Sequence, residues 1–204
     1  MVRLFFVVLL CGLGSGCALQ QEHKAFVIAF GSCNKQYEEN VLWKDVLKND
    51  PDVWVWDGDN IYSSDDGDME QMKRDYEQQL QVKDYVTLTN SVTVMGTWDD
   101  HDYGWNDGGA EFAKKKESKE LLLDFLKVPE DDERRSREGV YYARLFRTGQ
   151  GSVKVIMLDT RYFRTALTKA TDGKKRYQPN PYGEGTILGE AQWNWLKKEL
   201  ETSE

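Results

Sequence analysis

Four groups of chemically capable residues stand at the ends of four short apolar runs: Cys33; then Asp57, Asp59 and Tyr62; then Asp99, Asp100, His101 and Asp102; then Asp159 and Arg161. A lone aspartate after a strand is ordinarily a turn former. Four such groups point instead to one site, because ligands collect beyond the carboxyl ends of the strands in open α/β sheets. Carboxylates brought within a few ångströms repel, and burial raises their pKa values unless a multivalent cation lies among them. The expected chemistry is that of a metal site.

Aspartate and tyrosine oxygens suit hard cations. Cys33 has two readings, a buried small hydrophobe or a thiolate ligand, and the second favours a transition metal such as iron or zinc. A calcium-binding loop starting at Asp57 fails: its fifth and sixth positions are Ile61 and Tyr62, and no glutamate stands at the twelfth. Other ligands must therefore come from elsewhere in the chain.

The elements that must position these groups follow from hydrophobic spacing. The apolar run over residues 25–30 reads as a buried strand, with a turn at Gly31 and Ser32. Val41, Leu42, Val46 and Leu47 place a helix over 37–49, ahead of Pro51. Val53 to Trp56 is a second strand and 91–98 a third, separated by a helix marked by Met69, Met72, Tyr76 and Leu80. A further helix spans 110–127, its lysine-rich start a solvated flank. Residues 139–147 and 152–158 read as a hairpin, and a loop rich in glycine and proline leads to a last amphipathic helix from Glu190, with Trp193, Leu196 and Leu200.

The whole chain has 204 residues, enough for one core, and 27 basic against 35 acidic residues give a net charge of −8. That balance argues against a nucleic-acid partner, which needs a basic face. The 7 Trp, 10 Tyr and 8 Phe against only 4 Pro argue against extended disorder. Leu4 to Leu13, behind Arg3, is too short for a membrane span of roughly 20 residues. It reads as a signal peptide ending at Ala18, which makes the mature protein secreted or a passenger of the secretory route. Lipidation at Cys17 is the weaker alternative, because Gly14 stands where a lipobox prefers leucine. Cleavage leaves Cys33 as the sole cysteine, so no internal disulfide is expected.

Taken with their order and spacing, Gly31-Ser32-Cys33, Trp56 to Tyr62, Trp98 to Gly104 with Asn106-Asp107, and Leu158 to Arg161 resemble the PhoD-like (alkaline phosphatase D) metallophosphatases. The resemblance continues through Val128-Pro129, Arg137 to Tyr141, and Leu188 to Gln192 with Trp195-Leu196. It implies an α/β metallo-dependent phosphatase sandwich, two β-sheets flanked by helices, in one domain over residues 19–204. By the same analogy Cys33, Asp59 and Tyr62 bind iron, and Asp59 is shared with a calcium site to which Asp100 and Asn106 contribute; zinc is the other candidate metal. A simple turn before Gly108-Gly109 is the competing reading of Asn106 and Asp107.

The implied reaction is hydrolysis of phosphate mono- or diesters by a metal-bound hydroxide. His101 is the candidate acid for the departing oxygen, with Asp102 holding its ring. Arg161 either pairs with a phosphate oxygen or serves as a buried partner of carboxylates. His23 is incidental, and Trp98, Tyr103 and Trp105 are walls. Family members continue beyond the last helix, so this chain is expected to cover the N-terminal part only, with one sheet face bare and self-association following. A secreted, non-catalytic cation binder is the competing function.

Overall fold

Val53 to Asp57 alternates valine and tryptophan, so each face of that strand carries large apolar side chains and both need cover. In the computed structural model, which describes residues 24–202, this strand (β2, Val53–Asp57) lies between β1 (Ile28–Gly31) and β3 (Thr93–Thr97) in a parallel three-stranded sheet. The fold is mixed α/β. Helix α1 (Trp43–Lys48) joins β1 to β2, and α2 (Met69–Leu80) and α3 (Lys83–Ser91) join β2 to β3. Parallel pairing brings the carboxyl ends of all three strands to the same sheet edge.

The tryptophan face packs on helices. Trp43 of α1 meets Trp54 and Trp56 edge to face at 4.9 and 5.3 Å, and the Trp56 indole N–H donates to the Tyr85 hydroxyl of α3 at 3.0 Å. Tyr76 of α2 stacks at 4.7 Å on Phe125 of α5 (Lys115–Phe125). Such aromatic pairs add about 0.5–1.5 kcal/mol each beyond the area they bury.

The valine face, expected to be bare, is covered. Val53, Val55 and Met95 cluster with Met157, flanked by Tyr142, Phe146 and Val155, from the antiparallel hairpin β4 (Tyr142–Thr148) and β5 (Gly151–Met157). The Gly96 amide donates to the Tyr142 hydroxyl at 3.0 Å, and the Thr97 hydroxyl donates to the Leu158 carbonyl at 3.0 Å. Gly96 is needed there, since a Cβ would stand 2.8 Å from that of Trp56.

Several boundaries differ from the sequence reading. The first helix begins only at Trp43, and 37–42 is irregular. Helix α3 was not expected, because Val86, Thr87 and Thr89 favour strands and only Tyr85 and Leu88 are buried. One-turn helix α4 (Asp100–Tyr103) forms in the polar group after the third strand and α6 (Glu133–Ser136) between the 110–127 helix and the hairpin, and the 163–188 loop holds two short paired strands, β6 (Thr168–Lys169) and β7 (Tyr177–Gln178). The last helix, α7 (Gly189–Glu201), turns its expected core stripe outward: Trp193 and Leu200 are exposed. Gln192 fixes that rotation by accepting from the Asp159 amide and donating to the Asp159 carbonyl, both at 2.8 Å. Among the described residues no helix is long and apolar enough to cross a membrane. The signal-peptide reading of residues 1–18 lies outside the described residues.

Candidate metal centre

Each strand of the parallel sheet ends in a break that aims a side chain into one cleft. After β1 the chain turns with Cys33 at φ 56°, and after β2 Asp59 lies at φ 50°, both in the left-handed region. Gly58 between Asp57 and Asp59 has φ 100°, and a Cβ there would be 2.6 Å from the Asp99 nitrogen, so only glycine lets the second and third strand ends meet. After β3, Asp99 caps α4 in a reciprocal capping box with Asp102.

Asp59 is the hub. Its carboxylate accepts from the Tyr62 hydroxyl at 3.1 Å, from the Cys33 thiol at 3.7 Å and from the His101 amide at 3.3 Å. Ligand atoms of Asp59, Asp100 and His101 all lie within 4.8 Å of one another. Tyr62 also stacks on the His101 ring at 4.2 Å. Five of the expected residues are thereby brought together.

Electrostatics at the cleft are unbalanced toward negative charge. Burial pushes the Tyr62 phenol well up, reinforced by its hydrogen bond with Cys33 and the charge of Asp59. Burial also raises Asp99, partly offset by Arg161. For Asp100 burial pushes upward, but the Asp107 amide, Arg161 and His101 outweigh it and leave the carboxyl below its ordinary value. One guanidinium thus faces the half-exposed Asp99 and the buried Asp100, with buried Asp59 beside them, a donor set that fits a multivalent cation. Carboxylate, phenol and thiol together suit a ferric ion, and carboxylate with amide oxygen suits calcium.

The remaining expected residues take other places. Asp102 does not touch the imidazole: it is fully buried, and its oxygens accept the backbone amides of Asp59, Asn60 and Asp99 at 3.1, 3.1 and 2.7 Å. Three amide donors on the strand-end loops outcompete a ring on the neighbouring residue. The partner of His101 is Asp65, whose Oδ1 lies 3.3 Å from Nδ1. Asn106 bonds Asp107 at 3.2 Å rather than Asp100, whose Oδ2 accepts the Asp107 amide at 2.8 Å.

Arg161 is a carboxylate partner. Its Nε donates to Asp99 at 2.6 Å, its Nη2 pairs with the same oxygen and lies 3.7 Å from Asp100, and its buried Nη1 has no protein acceptor among the described residues. Of the fourth group, Asp159 stays out of the cleft. It is fully buried and accepts from the Trp98 indole and the amides of Arg161, Tyr162 and Val140, each at 2.9 Å. Asp57 is likewise outside the cluster.

Sequence reasoning missed Asp65 and Gln192. Asp65 lies in a run of turn-forming residues, Ser63 to Gly67, where only the unbroken acid pair with Asp66 sets it apart. Gln192 stands in the Leu188 to Gln192 stretch that carries the resemblance, but nothing in the sequence pairs it with Asp159.

No curated protein and no solved structure matches the chain. A family model, that of the PhoD-like phosphatases, matches residues 28–204, a span that begins with β1 and takes in all the side chains of the cleft. The chain belongs to the PhoD-like phosphatase family.

Proposed function

We propose that the chain is a metal-dependent phosphoesterase acting on phosphate mono- or diesters. The observation that carries this is the convergence of Asp59, Asp100 and His101 within 4.8 Å, with the Tyr62 hydroxyl and the Cys33 thiol on Asp59. Cys33, Asp59 and Tyr62 would hold iron, and Asp59 and Asp100 calcium, joined by Asn106 once its side chain turns from Asp107. When bound, such cations supply Lewis acidity toward water and the phosphoryl oxygens.

The chain's own residues do the rest. The Arg161 guanidinium, fixed by Asp99 and 3.7 Å from Asp100, places positive charge beside a bound phosphate. The His101 ring, held between the Tyr62 face and the Asp65 carboxylate, delivers a proton to the departing ester oxygen. Asp102 positions Asp59 through the backbone and takes no part in proton transfer. Residues 1–18 would direct the protein into the secretory route.

Metal analysis of protein loaded with iron, calcium or zinc, together with assays on bis(p-nitrophenyl) phosphate and p-nitrophenyl phosphate, tests the reading. Turnover that falls with metal content in Asp59→Asn and Asp100→Asn is expected. Stoichiometric metal without turnover on either ester would favour the non-catalytic cation binder.

A further inference from the structure

A cavity of about 490 Å³ adjoins the metal centre, between residues 105–108 and the β6–β7 hairpin. Its size falls within the roughly 300–1,000 Å³ of small-molecule sites. Asp107 joins the two, since it lines the cavity and its amide is the donor to Asp100. The opposite wall is tied to the same residue: the Tyr177 hydroxyl and the Arg176 guanidinium both reach Asp107 Oδ2 at 2.9 Å.

Trp105 is the largest side chain lining this space. It is 41% exposed although its ring packs at 5.7 Å on Phe112, and a turn closed by the Gly108 amide on the Trp105 carbonyl at 2.7 Å fixes its backbone. Charges in the lining balance, Lys169 and Arg176 against Asp107 and Glu111, so a second phosphate would meet as much repulsion as attraction. Leu167 is the one aliphatic side chain there, too little for an alkyl chain. What remains is an indole and a phenol in a charge-balanced pocket with polar groups at hand, a combination that favours a flat π-system.

We propose that this cavity is the subsite for the ester substituent next to the scissile phosphate, and that it takes a planar aromatic or heteroaromatic group such as a nucleobase. The assignment of the substituent rests on the phosphoesterase reading; the affinity of the cavity for a flat ring does not. The preferred substrates are accordingly phosphodiesters whose retained substituent, the one that stays on phosphorus, is nucleotidyl or aryl rather than alkyl.

Binding of adenosine, which has no phosphate, to the metal-free full chain is followed by NMR saturation transfer. Trp105→Ala and Trp105→Leu, the latter keeping apolar packing on Phe112, should each weaken binding by about 10-fold or more, whereas Trp193→Ala on α7 should not. In metal-loaded protein, kcat/KM for thymidine 5′-(p-nitrophenyl phosphate) relative to methyl p-nitrophenyl phosphate, which share a leaving group, should fall by about 10-fold in Trp105→Leu. Adenosine bound equally by wild type and both Trp105 variants, no adenosine binding by folded wild type, or binding of inorganic pyrophosphate in its place would each overturn the proposal. If neither ester is hydrolysed while adenosine binding still depends on Trp105, the phosphoesterase reading fails and the aromatic site stands.

Discussion

The Asp102 carboxylate holds the backbone amide of Asp59 at 3.1 Å, although the two lie 43 positions apart in the chain. The loop after β2 and the turn after β3 are thereby one unit, and the Asp59 carboxylate is aimed by a side chain that itself stays out of the cleft. Asp102→Asn puts an N–H₂ group against at least one amide donor. We expect a loss of about 2–4 kcal/mol in urea unfolding of the metal-free protein. An unchanged unfolding midpoint would show that these amides do not need an anion.

His101 and Asp65 should be separable by leaving group. His101→Ala is expected to slow esters with poor leaving groups by about 10²-fold or more and nitrophenyl esters much less, because an activated leaving group hardly needs a proton. Asp65→Asn should show the same pattern at smaller amplitude. Equal losses on both ester types would assign His101 to metal binding or structure, a role its place in the 4.8 Å cluster allows.

Iron in the Cys33 and Tyr62 environment should be visible. Thiolate and phenolate both donate charge to a ferric ion, so loaded protein is expected to absorb in the visible range, with Cys33→Ser and Tyr62→Phe each altering the band. Chelation should remove the colour and the activity together. Identical spectra in both variants at full iron content would reject the two as ligands.

Away from the cleft, Asp132 caps α6 and grips Arg134 through Nε and Nη2, each at 2.8 Å. The side-chain hydrogen bonds with Arg134, opposed by burial, bring its carboxyl down to about 2 from an ordinary 3.8. A depressed folded pKa contributes stability that is fully present above about pH 4 and is lost as pH falls toward 2. Asp132→Asn should therefore flatten the fall in Tm between pH 5 and 2.5 relative to wild type. A parallel pair of curves would mean that the pair is equally made in the unfolded chain.

What was legible in the sequence was local. The strand β2 announces itself by four consecutive large apolar residues, and the glycine and aspartates after it mark where it must stop. The convergence of Cys33, Asp59, Tyr62, Asp100 and His101 follows from parallel pairing, which two short apolar runs with a helix pattern between them already imply. Partner choice was not legible. Asp102, His101, Asp65 and Arg161 each had several chemically acceptable mates, and the outcome depended on distances set by tertiary packing. Asp159 shows the same limit: its place after a strand suggested a ligand, but four donors from three segments bury it as a bracket instead.

Helices were misjudged where burial overrode pattern. On α7 the apolar stripe at Trp193 and Leu200 looked like a core face, yet one glutamine bonded twice to Asp159 turns the opposite side inward. On α3 the β-branched residues hid a helix whose stability comes from Tyr85 packing against Trp43 and Trp56 and from Leu88, buried in the same cluster.

The left-handed backbone at Cys33 and Asp59 sets folding against chemistry at the same two positions. A side chain in that region costs about 1–2 kcal/mol that glycine avoids, with less at aspartate. Laboratory evolution of the metal-free protein toward heat resistance alone would drift toward glycine at both sites, and would erase the thiol and the hub carboxylate in doing so. A lineage under selection for turnover must resist that drift, which makes residues 33 and 59 the places where loss of activity among relatives should first be read.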